Sequence, residues 1–148
     1  MEPMDKTSPK IGFALNKVTT EQFAIIEDNY NEEGDINLET KIGFGSDVDN
    51  KMIAVFTAFT FKCNEKAFLI IEAGCHFNIK DDAWEEMLDD EKKSLTVLKG
   101  FIRHMTVLTI GTTRGILHAK TENTCFNQFL LPTINVSEII REDSTINF

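Results

Sequence analysis

Between Ile36 and Ile79, apolar residues alternate with polar ones in three runs separated only by short clusters of turn-forming residues. This pattern constrains the fold more than any other feature: a period of two specifies strands, and connections this short allow only antiparallel neighbours. Ile36, Leu38, Ile42 and Phe44 mark the first run, up to Gly45, and Asp47-Val48-Asp49-Asn50 forms the turn after it. Met52 to Lys62 is the second run, Cys63-Asn64-Glu65-Lys66 the second turn, and Ala67 to Ile79 the third run. In the second run Ile53, Val55, Thr57, Phe59 and Phe61 share one face, with Ala54, Phe56, Ala58 and Thr60 on the other. Both faces are more apolar than water favours, so one is expected to pack on helices and the other to meet a second protomer. Upstream, Phe13, Leu15, Phe23 and Ile25 recur at spacing two around a Thr-rich middle, which predicts a bulged strand over 11–26. Residues 1–10 combine two prolines with charged and small polar residues, the composition of a flexible N-terminus, and leave 11–148 as a single domain.

The second half changes period. Asp81-Asp82, with Glu85 placed to return a capping-box contact, predicts a short helix. From Glu91 onward Leu95, Leu98, Phe101, Ile102, Met105 and Leu108 recur at three and four residues, which predicts a long helix. Its end is expected at Arg114-Gly115, a basic side chain for the negative end of the helix followed by a residue suited to the left-handed conformation. A connector then leads to Phe129-Leu130-Leu131-Pro132-Thr133-Ile134-Asn135-Val136 and a short final helix. The expected class is α+β: a four-stranded antiparallel sheet with a long helix and a short C-terminal helix packed on one face.

Charge and chemistry narrow the function. A formal net charge of -9, from 24 acidic and 15 basic side chains, opposes binding to nucleic acid or anionic membranes. No apolar run approaches the roughly 20 residues that cross a bilayer. The start Met-Glu-Pro-Met-Asp lacks the basic-then-apolar order of a secretory leader, so a cytoplasmic location is expected. The 3 cysteines, Cys63, Cys75 and Cys125, form no Cys-x-x-Cys pair and are expected to be reduced thiols. Cys75 and His76 are strand neighbours and point to opposite faces. His104 falls on the long helix and His118 in the connector, and neither is expected to have a ligand partner one helical turn away, so no metal is expected. Ser94, Ser137 and Ser144 lack a Gly-x-Ser-x-Gly elbow, and Gly43-Phe44-Gly45 is too short to cradle phosphate. Asp81-Asp82 and Asp89-Asp90 read as helix-terminal acids. The chain is therefore expected not to be an enzyme and to need no cofactor. What remains is apolar surface. With 12 phenylalanines against 1 tryptophan and 1 tryosine-type ring at Tyr30, a chain this size cannot easily enclose every ring, and Tyr30, Ile36, Phe101, Phe126, Phe129 and Ile134 are candidates for gripping other chains.

Several segments occur in the order found in the SecB export chaperones. Asp35-Ile36-Asn37-Leu38-Glu39 resembles that family's Val-x-Leu-Asp-Leu-Asp strand. Ala67-Phe68-Leu69 with Gly74 and Phe77-Asn78-Ile79 is similar to its Ala-Phe-Leu…Gly-Ile-Phe-Ser-Ile strand. Thr113-Arg114-Gly115 and Leu131-Pro132-Thr133-Ile134-Asn135 complete the series. The family's Phe-Pro-Tyr-Ala-Arg-Glu helix motif is replaced here by Phe101-Ile102-Arg103-His104-Met105-Thr106, so the likeness is to a divergent member. The resemblance implies an ATP-independent holdase for unfolded precursor proteins, assembled as a homotetramer (a dimer of dimers) and docking on the SecA ATPase. By position it implies a client groove with Tyr30 and Ile36 on the crossover-loop side, Phe101 and Ile102 on the helix side and Val136 near the final helix. Glu72 would lie on an acidic sheet face that meets the partner. Two other readings stand beside it: a specialised SecB-like chaperone that protects an antitoxin, and a small module enclosing a hydrophobic ligand under the long helix.

Overall fold

The computed structural model describes residues 12–148, so the expectation of a flexible segment over 1–10 lies outside the described residues. Strand β1 (Phe13–Ile25) is followed by a 3-10 turn (Glu27–Asn29) and then by β2 (Ile36–Asp47), β3 (Met52–Cys63) and β4 (Lys66–Ile79). Helix α1 (Asp81–Met87), β5 (Leu88–Asp89) and β6 (Ser94–Val97) lead into the long helix α2 (Lys99–Thr121). A 3-10 turn (Cys125–Gln128), helix α3 (Val136–Ile139) and β7 (Ser144–Asn147) complete the chain. The first four strands form an antiparallel sheet in the order β1-β4-β3-β2, and β5-β6-β7 form a second, smaller one.

The strand periodicity is realised as expected. Ile53, Val55, Thr57 and Phe59 of β3 are buried opposite Phe77, Cys75, Ala73 and Ile71 of β4, and this face carries α2. The β3–β4 hairpin turns on Asn64 and Glu65, both at positive φ (49° and 69°), the pairing that matches the twist of a two-residue hairpin. Asparagine tolerates this conformation and glutamate does not. Glu65→Gly is accordingly expected to raise the unfolding free energy by up to about 1 kcal/mol, read from the urea midpoint. Strand β1 shifts register between Leu15 and Lys17 and between Thr20 and Gln22, so the expected irregularity is two bulges. On the sheet face away from α2, Gly74 admits the ring of Phe56: a Cβ there would sit 2.7 Å from two of its carbons.

Four expectations for the second half are corrected. The long helix does not begin near Glu91, because Ser94–Val97 form a strand held by β7 from the far end of the chain, and Leu95 pairs with Ile146. Nor does it end at Gly115: α2 continues to Thr121, and the left-handed residue beyond it is Asn123, at φ 65°. No described glycine has a positive φ. Arg114 reaches the connector instead, its Nε and a terminal nitrogen donating to the carbonyls of Leu131 (3.2 Å) and Pro132 (2.9 Å). The capping box at α1 is absent: Lys80 occupies the cap position, and Asp82 accepts only from the N–H of its neighbour Ala83. His118 lies on α2 and does have a partner one turn on, Glu122, at 3.5 Å.

Helix α2 meets the sheet through a stripe rich in threonine. Thr106, Thr109, Thr113 and Thr121 are fully buried, and each hydroxyl donates to the carbonyl four residues earlier at 2.7 to 2.8 Å. This back-bonding satisfies hydroxyls that burial would otherwise penalise. It is also why the β-branched run Thr106-Val107-Leu108-Thr109-Ile110 is compatible with a helix. Among the described residues one side-chain hydrogen bond, Thr57 to Thr113 at 2.6 Å, ties this helix to the main sheet.

Candidate functional site: an aromatic groove at the crossover loop

The chain crosses from β1 at one edge of the sheet to β2 at the other through residues 26–35, and Tyr30 is the large aromatic residue of that crossing. Its ring lies 5.0 Å from Phe68, 5.4 Å from Phe126 and 5.6 Å from Phe129, measured between centroids. Phe68 and Phe61 belong to the sheet, whereas Phe126 and Phe129 come from the connector beyond α2. The rings meet mostly tilted or edge to face, geometries that contribute about 0.5–1.5 kcal/mol per pair beyond area burial. Asn29 anchors the crossing by donating to the carbonyl of Ala67 at 2.8 Å.

Above this cluster lies an open groove of about 720 Å³ lined by Glu27, Asp28, Tyr30, Asn31, Glu32, Glu33, Cys125 and Phe126. Its floor is aromatic and its rim is acidic, with no basic side chain in the lining. Such a surface removes apolar groups from water and attracts cations at the same time.

The remaining expected site residues are dispersed. Ile36 opens β2 at 43% exposure, opposite Cys63. Phe101 lies at the other end of the molecule, packed on Phe13 (4.9 Å), where it lines a separate cleft of about 230 Å³ with Ala83, Glu86, Met87, Thr96 and Leu98. Ile102 is fully buried and belongs to the core. Val136 is also buried and edges a third cleft, of about 220 Å³, between α2 and the connector. Tyr30 is thus brought together with Phe126 and Phe129, which the sequence had marked, and with Phe61 and Phe68, which it had not. Two aromatic residues three apart after a helix were the available signal for the connector pair; nothing local distinguishes Phe68 from a core strand residue.

Glu72 sits mid-strand on the sheet face away from α2, between Gln22 of β1 and Ala58 of β3. On this face Lys17, Lys41 and Lys62 stand among Glu21, Glu39, Asp47 and Glu72, so the lysines offset most of its acid. Lys62 contacts Glu39 at 2.6 Å, and its hydrogen bond holds that carboxyl below the usual glutamate range. Further along, His76 meets the hydroxyl of Thr19 at 3.2 Å and the edge of Phe56. Burial, and secondarily the Lys17 charge, keep its pKa below 6.5 against the opposing pull of Glu21. The unfolded chain therefore takes up the proton first, and stability falls as pH drops below 6.5. His76→Asn is expected to flatten that loss, measured as urea midpoints on either side of this pH. Cys75, its strand neighbour, is buried on the opposite face, as the alternation requires.

The class defined by these features is an α+β domain with a four-stranded antiparallel sheet beneath one long helix, carrying an aromatic groove open at one end. No family model matches the sequence, and no curated protein matches it. Among solved structures the chain is similar to the Mycobacterium tuberculosis Rv1957 SecB-like chaperone, solved in complex with a ChAD peptide from the Rv1956 HigA1 antitoxin. The identity is 12% and the TM-score 0.35, over 45% of this chain and 50% of that one. The match thus spans about half the length of that solved chain. A likeness of this size carries no argument about function. Among the described residues no helix is long and apolar enough to cross a membrane.

Proposed function

We propose that the protein is an ATP-independent chaperone that holds unfolded polypeptide in the groove at Tyr30. The observation that carries this reading is the pairing of an aromatic floor with an acidic rim in a groove too open to enclose a small molecule. Apolar burial contributes about 25 cal/mol per Å² without directional requirement, so many client sequences are accepted. Glu27, Asp28, Glu32 and Glu33 favour clients whose apolar stretches are flanked by lysine or arginine. The hydrophobic-ligand module gains no such support, since Phe59, Phe77, Ile53 and Ile102 fill the space between sheet and helix.

Assembly into a dimer of dimers fits the outer face of α2. Gly100, Gly111 and Gly115 have nothing within 4 Å of where a Cβ would stand, and Val107 and Leu108 are 53% and 42% exposed. Each glycine costs about 1 kcal/mol relative to alanine in a helix, a cost that close approach of a second helix offsets. Clients are either precursors destined for export or an antitoxin. The three lysines on the Glu72 face favour the second form, because they offset most of the acid that docking on a SecA-type motor would use.

The test is dilution of a chemically unfolded client into buffer with stoichiometric chaperone and no nucleotide, followed by light scattering. Suppressed scattering is expected, with the hold on a basic client weakening as salt rises past the roughly 8 Å screening length of physiological buffer. Reversal of Glu32 and Glu33 to lysine should abolish that salt dependence. Undiminished client aggregation with the folded protein present would remove the proposal.

A further inference from the structure

The sheet face turned away from α2 carries a second cleft, of about 320 Å³, and the strand register builds it. Gly45 of β2 pairs with Ala54 of β3, Ala54 with His76 of β4, and His76 with Lys17 of β1, so one row crosses all four strands. Gly45 and Ala54, with little or no side chain, are the floor. Met52 and Phe56, two residues to either side of Ala54 on β3, are the walls. The ring of Phe56 is held across the sheet between two glycines: a Cβ at Gly74 would stand 2.7 Å from one edge, and a Cβ at Gly45 3.7 Å from Cε2 on the other. Phe56 accounts for Gly74. Glycine inside a strand otherwise marks a place where something approaches closely, and over Gly45 that place is the cleft.

The polar groups at the two ends differ in kind. The Thr19 hydroxyl gives its one proton to Glu21 at 2.8 Å, so in its 3.2 Å contact with His76 it accepts from Nε2–H. Burial holds the His76 pKa below 6.5, and the neutral ring then has a bare acceptor at Nδ1. Thr19 lies outside the lining of the cleft, and among the described residues Nδ1 has no partner. Lys17, beside His76, is the cation of the cleft and forms no ion pair among the described residues. At the β2 end stand the Ser46 hydroxyl and the Asp47 carboxylate, the latter kept charged by hydrogen bonds from Asn50.

We propose that this cleft binds a free aromatic amino acid of the tyrosine type: carboxylate on Lys17, ammonium on Nδ1 of His76, ring over Ala54 and Gly45 between Met52 and Phe56, and phenol hydroxyl on Asp47. The volume is at the small end of the roughly 300–1,000 Å³ of ligand pockets, which suits one amino acid and excludes a nucleotide or a longer peptide. Adjacent strands stand about 4.8 Å apart, so the two gaps from β4 to β2 match the reach from the α-carbon of such a ligand to its ring hydroxyl. Charge selects the zwitterion. A simple amine would meet Lys17 with nothing to offset it, and a simple acid would be repelled by a chain of formal net charge -9, whereas a zwitterion has no net charge to be repelled. Asp47 fixes the direction by keeping the carboxylate at the β1 end. The cleft lies at the opposite end of β1 from the crossover, so its occupancy does not depend on what the Tyr30 groove holds.

The experiment titrates the full chain with L-tyrosine and follows the ring-proton resonances of His76 by NMR, assigned by their loss in His76→Asn. A saturable shift is expected. Tyramine, which lacks the carboxylate, and 4-hydroxyphenylpropionate, which lacks the ammonium, are each expected to bind roughly tenfold more weakly, and phenylalanine about fivefold. Lys17→Met, at an exposed position, is expected to weaken tyrosine roughly tenfold with an unchanged circular dichroism spectrum. Ala54→Leu, which fills the floor, is expected to abolish the shift. No saturable shift in saturated tyrosine, unchanged affinity in Lys17→Met, or equal binding of tyramine or of 4-hydroxyphenylpropionate would each overturn the site. Equal binding of phenylalanine would overturn the placing of the ring hydroxyl at Asp47.

Discussion

Phe68→Ala is expected to lower the unfolding free energy by about 3–5 kcal/mol, the range for truncating a fully enclosed aromatic side chain. Phe68 is completely buried, and its ring stands 5.0 Å from both Tyr30 and Phe129 and 6.1 Å from Phe126. Its ring meets both the crossover loop and the connector, two segments far apart in the chain. The loss should therefore have two parts. One is global and is read from the denaturant midpoint. The other is local: faster amide exchange over 26–35 and 125–131 than over the centre of α2, together with weaker client holding. Conserving the ring shape by Phe68→Tyr would bury an unpartnered hydroxyl and is expected to cost less than the alanine, without disturbing the loop contacts. Equal loosening of α2 and the loops in the alanine variant would show that Phe68 is ordinary core and not the keystone of the groove.

Thr113→Val is expected to cost about 1–3 kcal/mol although it preserves shape. The hydroxyl of Thr113 donates to the carbonyl of Thr109, so in the 2.6 Å contact with Thr57 it is Thr57 that donates. Removing the acceptor leaves the Thr57 hydroxyl, itself wholly buried, without a partner. Replacing both threonines by valine removes donor and acceptor together and should be less destabilising than Thr113→Val alone. Urea denaturation of the two single variants and the double closes the cycle, and additive losses would mean that the contact contributes nothing of its own.

The strand half was legible from residues 36 to 79 because each of its signals is local. Alternation placed Val55 and Phe59 on one face and Phe56 and Ala58 on the other, and the turn clusters marked both hairpins. The α+β class followed. The helical half was legible in kind but not in extent. Leu95 sits at the right spacing for the α2 stripe, yet its partner is Ile146, which lies outside any local window. Arg114-Gly115 has the composition of a helix stop, and α2 passes through it because Thr113, Leu117 and Thr121 continue the buried stripe beyond. Tertiary burial outweighs a propensity cost of about 1 kcal/mol per glycine.

The candidate site divides in the same way. Tyr30 stood out as a single aromatic residue in an acidic loop, and Phe126 and Phe129 as rings beyond a helix, but their meeting around Phe68 depends on the crossing from β1 to β2. Phe101, Ile102 and Val136 were grouped with Tyr30 by sequence order, and the fold sends them to another cleft, to the core and to the far side of α2. By itself the sequence determined the strands, the antiparallel pairing of the last three, the faces they bury and the acid that surrounds Tyr30, since alternation and charge are properties of neighbouring residues. Only the tertiary structure decided where α2 begins and ends and which aromatic rings form one floor, since these depend on contacts between residues far apart in the chain.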